Sequence, residues 1–112
     1  MNRNIVDDWF GAFRKKDVDL LERTLAEGFV HSSPFGEVNG RKAYLDLVRA
    51  NPVAFFSPTL EILDIIEGGD SFGVRYLMNG NPACDCIYTA EGTITKIHSY
   101  YHVGPKPAMY SD

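Results

Sequence analysis

At 112 residues and 12.5 kDa the chain has the length of one domain, large enough to bury a core without a metal or a disulfide framework. Its 11 basic and 15 acidic residues leave a net charge of −4, which argues against a nucleic-acid footprint; the longest basic run is only Arg14-Lys15-Lys16. No apolar run approaches the roughly 18 residues that cross a bilayer. Two cysteines do not build a disulfide scaffold, so a reducing cytoplasm is the expected compartment.

The first segment places Ile5, Val6, Trp9, Phe10 and Phe13 on one face of an amphipathic helix, with Asp7, Asp8, Arg14 and Lys15 largely on the other. The early aspartate pair departs from the layout of a signal peptide. Asp17 reads as the N-cap of a second, shorter helix with the stripe Val18, Leu21, Leu25 and a stop at Gly28. Phe29 and Val30 open a short strand running into His31-Ser32-Ser33-Pro34, the proline biasing Ser33 away from helix. A turn through Gly36 and Asn39-Gly40 leads to a third helix carrying Tyr44, Leu45, Leu47 and Val48 and ended by Asn51-Pro52. Arg41 and Lys42 stand in its first turn, where the helix dipole disfavours cations, so a covering or pairing partner is expected there.

After Pro58 the periodicity changes to that of strands. Leu60 to Ile66 and Phe72 to Leu77 are two strands joined at Gly68-Gly69-Asp70. Asn79-Gly80-Asn81-Pro82 is a second turn, followed by strands from Cys84 to Thr89 and from Thr93 to Val103. The domain is expected over residues 1–104, with 105–112 as a tail. The class is α+β: three N-terminal helices packed in a strongly curved, mainly antiparallel sheet. A sheet curved around helices leaves a tapering hollow, the usual place for a small-molecule site. Seven Phe, six Tyr and one Trp either line that hollow or fill it.

The order of these elements, together with three stretches of residues, resembles the NTF2-like superfamily, in particular its SnoaL-like branch, related to ketosteroid isomerases, limonene-epoxide hydrolases and polyketide cyclases. The first stretch is Trp9 to Phe13 with Lys16-Asp17-Val18-Asp19-Leu20-Leu21; the second is Phe29 to Pro34 with Asn39-Gly40-Arg41. The third is Asp85 to Tyr88, Glu91 to Ile94 and Ile97 to Tyr101. The resemblance implies a cone-shaped fold and leaves function open, since this scaffold hosts many activities. Where the isomerases carry a tyrosine on the first helix this chain has Trp9, and where they carry an aspartate base before a proline it has Ser33. Their acidic residue on the penultimate strand corresponds to Asp85, or to Cys84 if the turn differs by one residue. The epoxide-hydrolase pattern lacks its Arg-x-Asp pair, because Arg75 precedes Tyr76-Leu77, and Ser99 replaces its final aspartate.

Asp85 is the leading candidate for a functional acid. If Ile87 faces inward so does Asp85, since strand parity is two, and burial then raises its pKa; the alternative is a solvent- or partner-facing carboxylate. His31 shares a face with Ser33 and is the second acid–base candidate, or else a partly exposed, hydrogen-bonded histidine. Trp9, Phe13, Ser33, Ile87, Ser99 and Tyr101 complete the expected ligand-binding set. If Ser99 points inward, His98, Tyr100 and His102 lie on the outer sheet face, which in this superfamily commonly forms a dimer interface. The histidines do not have metal-ligand spacing, and no cofactor is expected. Three functions follow: a pocket for a small apolar or carbonyl-containing molecule; a cyclase or isomerase using Asp85 as general acid/base; or a module whose job is dimerisation, with the hollow vestigial.

Overall fold

The computed structural model describes residues 3–102 and Met109. The predicted tail and the last predicted strand residue, Val103, lie, apart from Met109, outside the described residues.

Helix α1 (Arg3–Lys15) turns Val6, Trp9, Phe10 and Phe13 into the core, as their spacing requires, and ends with Arg14 and Lys15 against the negative end of its dipole. Lys16 adopts a left-handed conformation (φ 58°), and the Asp17 N–H donates back to the Ala12 carbonyl at 2.9 Å, a Schellman-type stop. Asp17 then caps helix α2 (Val18–Thr24), its carboxylate accepting the Leu20 N–H at 3.0 Å. One residue thus closes one helix and opens the next.

Helix α2 stops earlier than its apolar stripe suggests. Leu25 is already extended and begins strand β1 (Leu25–Ser33), where it pairs with Ile94. Gly28 is therefore not a helix stop; it sits where the β1 register slips between Leu25 and Val30, the kind of irregularity glycine marks in strands. The expected turn at Gly36 is instead a four-residue edge strand, β2 (Gly36–Asn39), hydrogen-bonded to β1 and too short to show alternation.

Helix α3 (Arg41–Ala50) buries Tyr44, Leu45 and Val48. The cations in its first turn are partnered: the Arg41 guanidinium donates to the Leu25 carbonyl at 3.3 Å, and Lys42 pairs with Asp46 at 2.9 Å. Pro52 ends α3 as expected, yet also starts a one-turn helix, α4 (Pro52–Phe55), in which it takes the position where a missing N–H costs nothing.

Strands β3 (Glu61–Gly68), β4 (Ser71–Met78), β5 (Asn81–Ala90) and β6 (Thr93–Tyr101) follow as successive antiparallel hairpins. Asn79 and Gly80 both take positive φ (53° and 82°), the turn geometry that suits a two-residue hairpin, so β5 starts at Asn81, earlier than its apolar residues suggest. The sheet order is β2-β1-β6-β5-β4-β3, with β1 parallel to β6 and every other pair antiparallel. Irregularities in β1, in β3 between Ile62 and Asp64, and between Tyr88 and Thr89 bend the sheet around the helices. The fold is the expected curved α+β cone. Its apex is packed by Leu21, Leu25, Phe72, Val74, Ile87, Ile94 and Ile97. Among the described residues no helix is long and apolar enough to cross a membrane.

Candidate active site: a buried carboxylate in an apolar cavity

Alternation along β5 puts Ile87 and Asp85 on the concave face, and Cys84 and Cys86 on the other. Asp85, not Cys84, is the acidic-strand residue that faces the helices. It is 2% exposed and opposite Ser99 in the β5–β6 register. Ser99 Oγ lies 2.7 Å from Asp85 Oδ1, the Tyr76 hydroxyl donates to the same oxygen at 2.9 Å, and the Trp9 indole N–H donates to Oδ2 at 3.2 Å. Three elements, α1, β4 and β6, therefore converge on one carboxylate through neutral donors.

His31 on β1 extends the cluster, with Nε2 3.0 Å from Ser99 Oγ. An ionised carboxylate only accepts, so the Ser99 hydroxyl proton goes to Asp85. Its oxygen then receives the His31 Nε2–H, which settles the imidazole tautomer.

Burial dominates the electrostatics. It pushes Asp85 from 3.8 up to about 6, against the opposing effect of its donors Ser99, Tyr76 and Trp9. Burial, and then the charge of His98, lowers His31 to about 4, leaving a neutral imidazole at physiological pH. Tyr76 and Tyr44 are held above the ordinary phenol value, first by burial and then by the Asp85 charge, so both stay protonated.

The cluster forms part of the wall of a cavity of about 890 Å³ whose other lining includes Phe10, Phe13, Tyr44, Phe55, Leu60 and Met78. Phe35, 78% exposed, stands at the rim. Trp9, Phe10, Phe13, Tyr44, Phe55 and Tyr76 thus line an open hollow, whereas Phe29 and Phe72 are packed into the core. Among the described residues no group of three side chains has the composition to hold a metal ion.

Of the residues singled out from the sequence, Trp9, Phe13, His31, Asp85, Ser99 and Tyr101 line this cavity together. Ser33 and Ile87 do not. Ser33 shares the parity of His31 but lies two residues further out, where its hydroxyl accepts the Phe35 N–H at 3.2 Å in the β1–β2 turn. Ile87 lies two residues deeper on β5 and is fully buried in the packed apex. His98 and Tyr100 face outward, His98 packing edge-on against Tyr88 (5.9 Å). His102, expected beside them, instead lines the cavity, because β6 ends at Tyr101 and alternation no longer governs it. Sequence reasoning missed Tyr76 and Tyr44. The alternation Phe72-Val74-Tyr76 marks Tyr76 as inward-facing, and the α3 stripe marks Tyr44; neither pattern shows which hydroxyl meets a carboxylate.

A model of the SnoaL-like domain matches residues 6–103. Solved structures with the same fold include an NTF2-like protein of unknown function from Cytophaga hutchinsonii (TM-score 0.74, 19% identity, 91% of this chain and 90% of that one). A protein from Catenulispora acidiphila with a ketosteroid isomerase-like fold, in complex with trimethylamine, has a TM-score of 0.73 at 18% identity, covering 90% and 87% of the two chains. An LEH-like epoxide hydrolase from M. tuberculosis has a TM-score of 0.71 at 16% identity, covering 88% and 80%. No curated protein matches the sequence.

Proposed function

This chain belongs to the SnoaL-like domain family, and from that premise we propose that it binds a small, largely apolar molecule whose one polar group is directed at Asp85. The observation that carries this reading is a carboxylate 2% exposed, without a cation beside it among the described residues, in the wall of an otherwise apolar cavity. Burying a carboxylate this way costs stability, and a packed leucine there would not. The test is a metabolite screen read by emission from Trp9, the only tryptophan. Terpenoid, aromatic and carbonyl compounds are expected to shift or quench that emission; silence across all three classes at millimolar concentration rejects the reading.

A second reading, an isomerase- or cyclase-type enzyme, draws on the hydrogen-bonded line Asp85–Ser99–His31. In this reading Asp85, with a pKa of about 6, exchanges a proton with bound substrate near neutral pH while His31 assists through Ser99. Asp85→Asn then abolishes turnover while leaving binding of the same compound within a few-fold. We place the protein in the cytoplasm, in keeping with its two free thiols. We also infer a homodimer through the outer sheet face, where Tyr88 and Tyr100 are 42% and 58% exposed; sedimentation at the 12.5 kDa of one chain would refute it.

A further inference from the structure

The hydrogen bonds around Asp85 are unevenly distributed, and the imbalance specifies what a ligand must bring. Oδ1 receives two donors, Tyr76 and Ser99, which fill its two lone-pair directions. Oδ2 receives only the Trp9 indole among the described residues, so one acceptor direction is open. The same cavity wall carries a donor with no acceptor among the described residues. The Tyr44 hydroxyl makes no hydrogen bond among the described residues, although every fully enclosed polar side-chain atom there has a partner. That hydroxyl therefore touches open space, and because Tyr44 is 2% exposed and lines the cavity, the space is the cavity.

The Tyr44 ring is held in place. It stacks on Trp9 (5.9 Å, 29°) and meets Phe29 and Phe55 edge-on at 5.2 and 5.9 Å. Its phenol lies close enough to Asp85 for that charge to raise its pKa, a smaller effect than burial, so it stays a donor. A ketone or ether oxygen satisfies Tyr44 but turns lone pairs toward Oδ2. An ammonium satisfies Oδ2 but offers Tyr44 no acceptor. A hydroxyl does both.

We propose that the cavity selects an apolar molecule bearing a hydroxyl, which donates to Asp85 Oδ2 and accepts from the Tyr44 hydroxyl. This rests on the reading of the cavity as a binding site and names its ligand class. It makes Tyr44, on a different element from the Asp85 cluster, a specificity-determining residue.

The test compares menthol, menthone and menthyl methyl ether, three probes with one apolar skeleton, by titration calorimetry on the full chain at about pH 8, where Asp85 is ionised. Menthol is expected to bind about tenfold or more tighter than either acceptor-only probe, as a hydrogen bond to a charged group implies. Tyr44→Phe lowers menthol affinity about fivefold with an unchanged melting curve. Asp85→Asn, which sets an amide donor where Oδ2 stands, removes the preference for menthol over menthone. Equal affinities for the three probes, or a Tyr44→Phe variant that binds menthol as well as the parent, overturns the inference while the cavity stands as a site. Failure of all three to bind at millimolar concentration overturns the inference, and the binding-site reading falls with it when the Trp9 emission screen is silent as well.

Discussion

Two carboxylates on the strands that flank β4, one on either side, have opposite fates. Asp64 lies on the outer face of β3, directly across from Arg75 on β4, whose guanidinium grips it at 2.8 to 3.2 Å. Both side chains are about half exposed (61% for Arg75, 49% for Asp64). Hydrogen bonds from Arg75, and then its charge, hold Asp64 below the usual carboxylate range. Asp85 lies on the inner face of β5, buried, with three neutral donors and no cation among the described residues, and is displaced the other way. The difference teaches that the dielectric and the kind of partner decide what a carboxylate can do, more than the number of hydrogen bonds it accepts. Asp64 is one half of a surface ion pair; Asp85 is a buried carboxylate that burial brings to a pKa of about 6.

The sharpest way to break this comparison is through pH. A folded pKa of about 6 against an ordinary 3.8 means that the native state holds the Asp85 proton longer than the unfolded chain. Its contribution is full below 3.8 and is lost as pH rises through 6, about 3 kcal/mol in all. His31, lowered from 6.5 to about 4, runs in the opposite sense: the unfolded chain takes up its proton first, so stability rises by about 3 kcal/mol between pH 4 and 6.5. In the parent the two slopes largely cancel. Asp85→Asn is therefore expected to give a urea-denaturation stability that climbs with pH over this window, and His31→Gln one that falls. If both variants follow the flat profile of the parent, the burial of both groups is contradicted.

A smaller effect is expected from Tyr76→Phe. It removes one donor from Asp85 Oδ1 and should cost about 1.5 to 3 kcal/mol at pH 8, where the carboxylate is charged, and distinctly less at pH 4.5. Equal losses at the two pH values would mean that Tyr76 serves packing alone. The smallest effect belongs to the other carboxylate. Arg75→Ala should leave the melting temperature close to that of the parent at moderate salt, because an exposed ion pair is screened and loosely held.

Much of this molecule was readable as sequence where a local pattern and its physical cause coincide. Val6, Trp9, Phe10 and Phe13 share a helix face, Asp17 caps, and Asn79-Gly80 turns, because each depends only on residues nearby. The inward direction of Asp85 follows from Ile87 by strand parity. What was not readable depends on distant pairing. Leu25 leaves helix α2 because Ile94, far along the chain, offers it a strand partner, and Gly36 joins a strand because β1 lies beside it. The same holds in the site. Parity aims Ser33 and Ile87 correctly, but the depth of the cavity along each strand decides that one falls beyond the rim and the other within the apex. Tyr44 and Tyr76 look like ordinary core residues until strand β5 sets Asp85 in hydrogen-bond contact with Tyr76 and within electrostatic reach of Tyr44.

The central claim is that Asp85 is a buried carboxylate held by neutral donors in the wall of the cavity. Side-chain carboxyl carbon NMR, followed through an acid titration of the unliganded protein, tests it most directly. The Asp85 resonance should titrate with a midpoint near 6, against the ordinary 3.8. A midpoint at or below that ordinary value would show a solvated or cation-paired group and contradict the account.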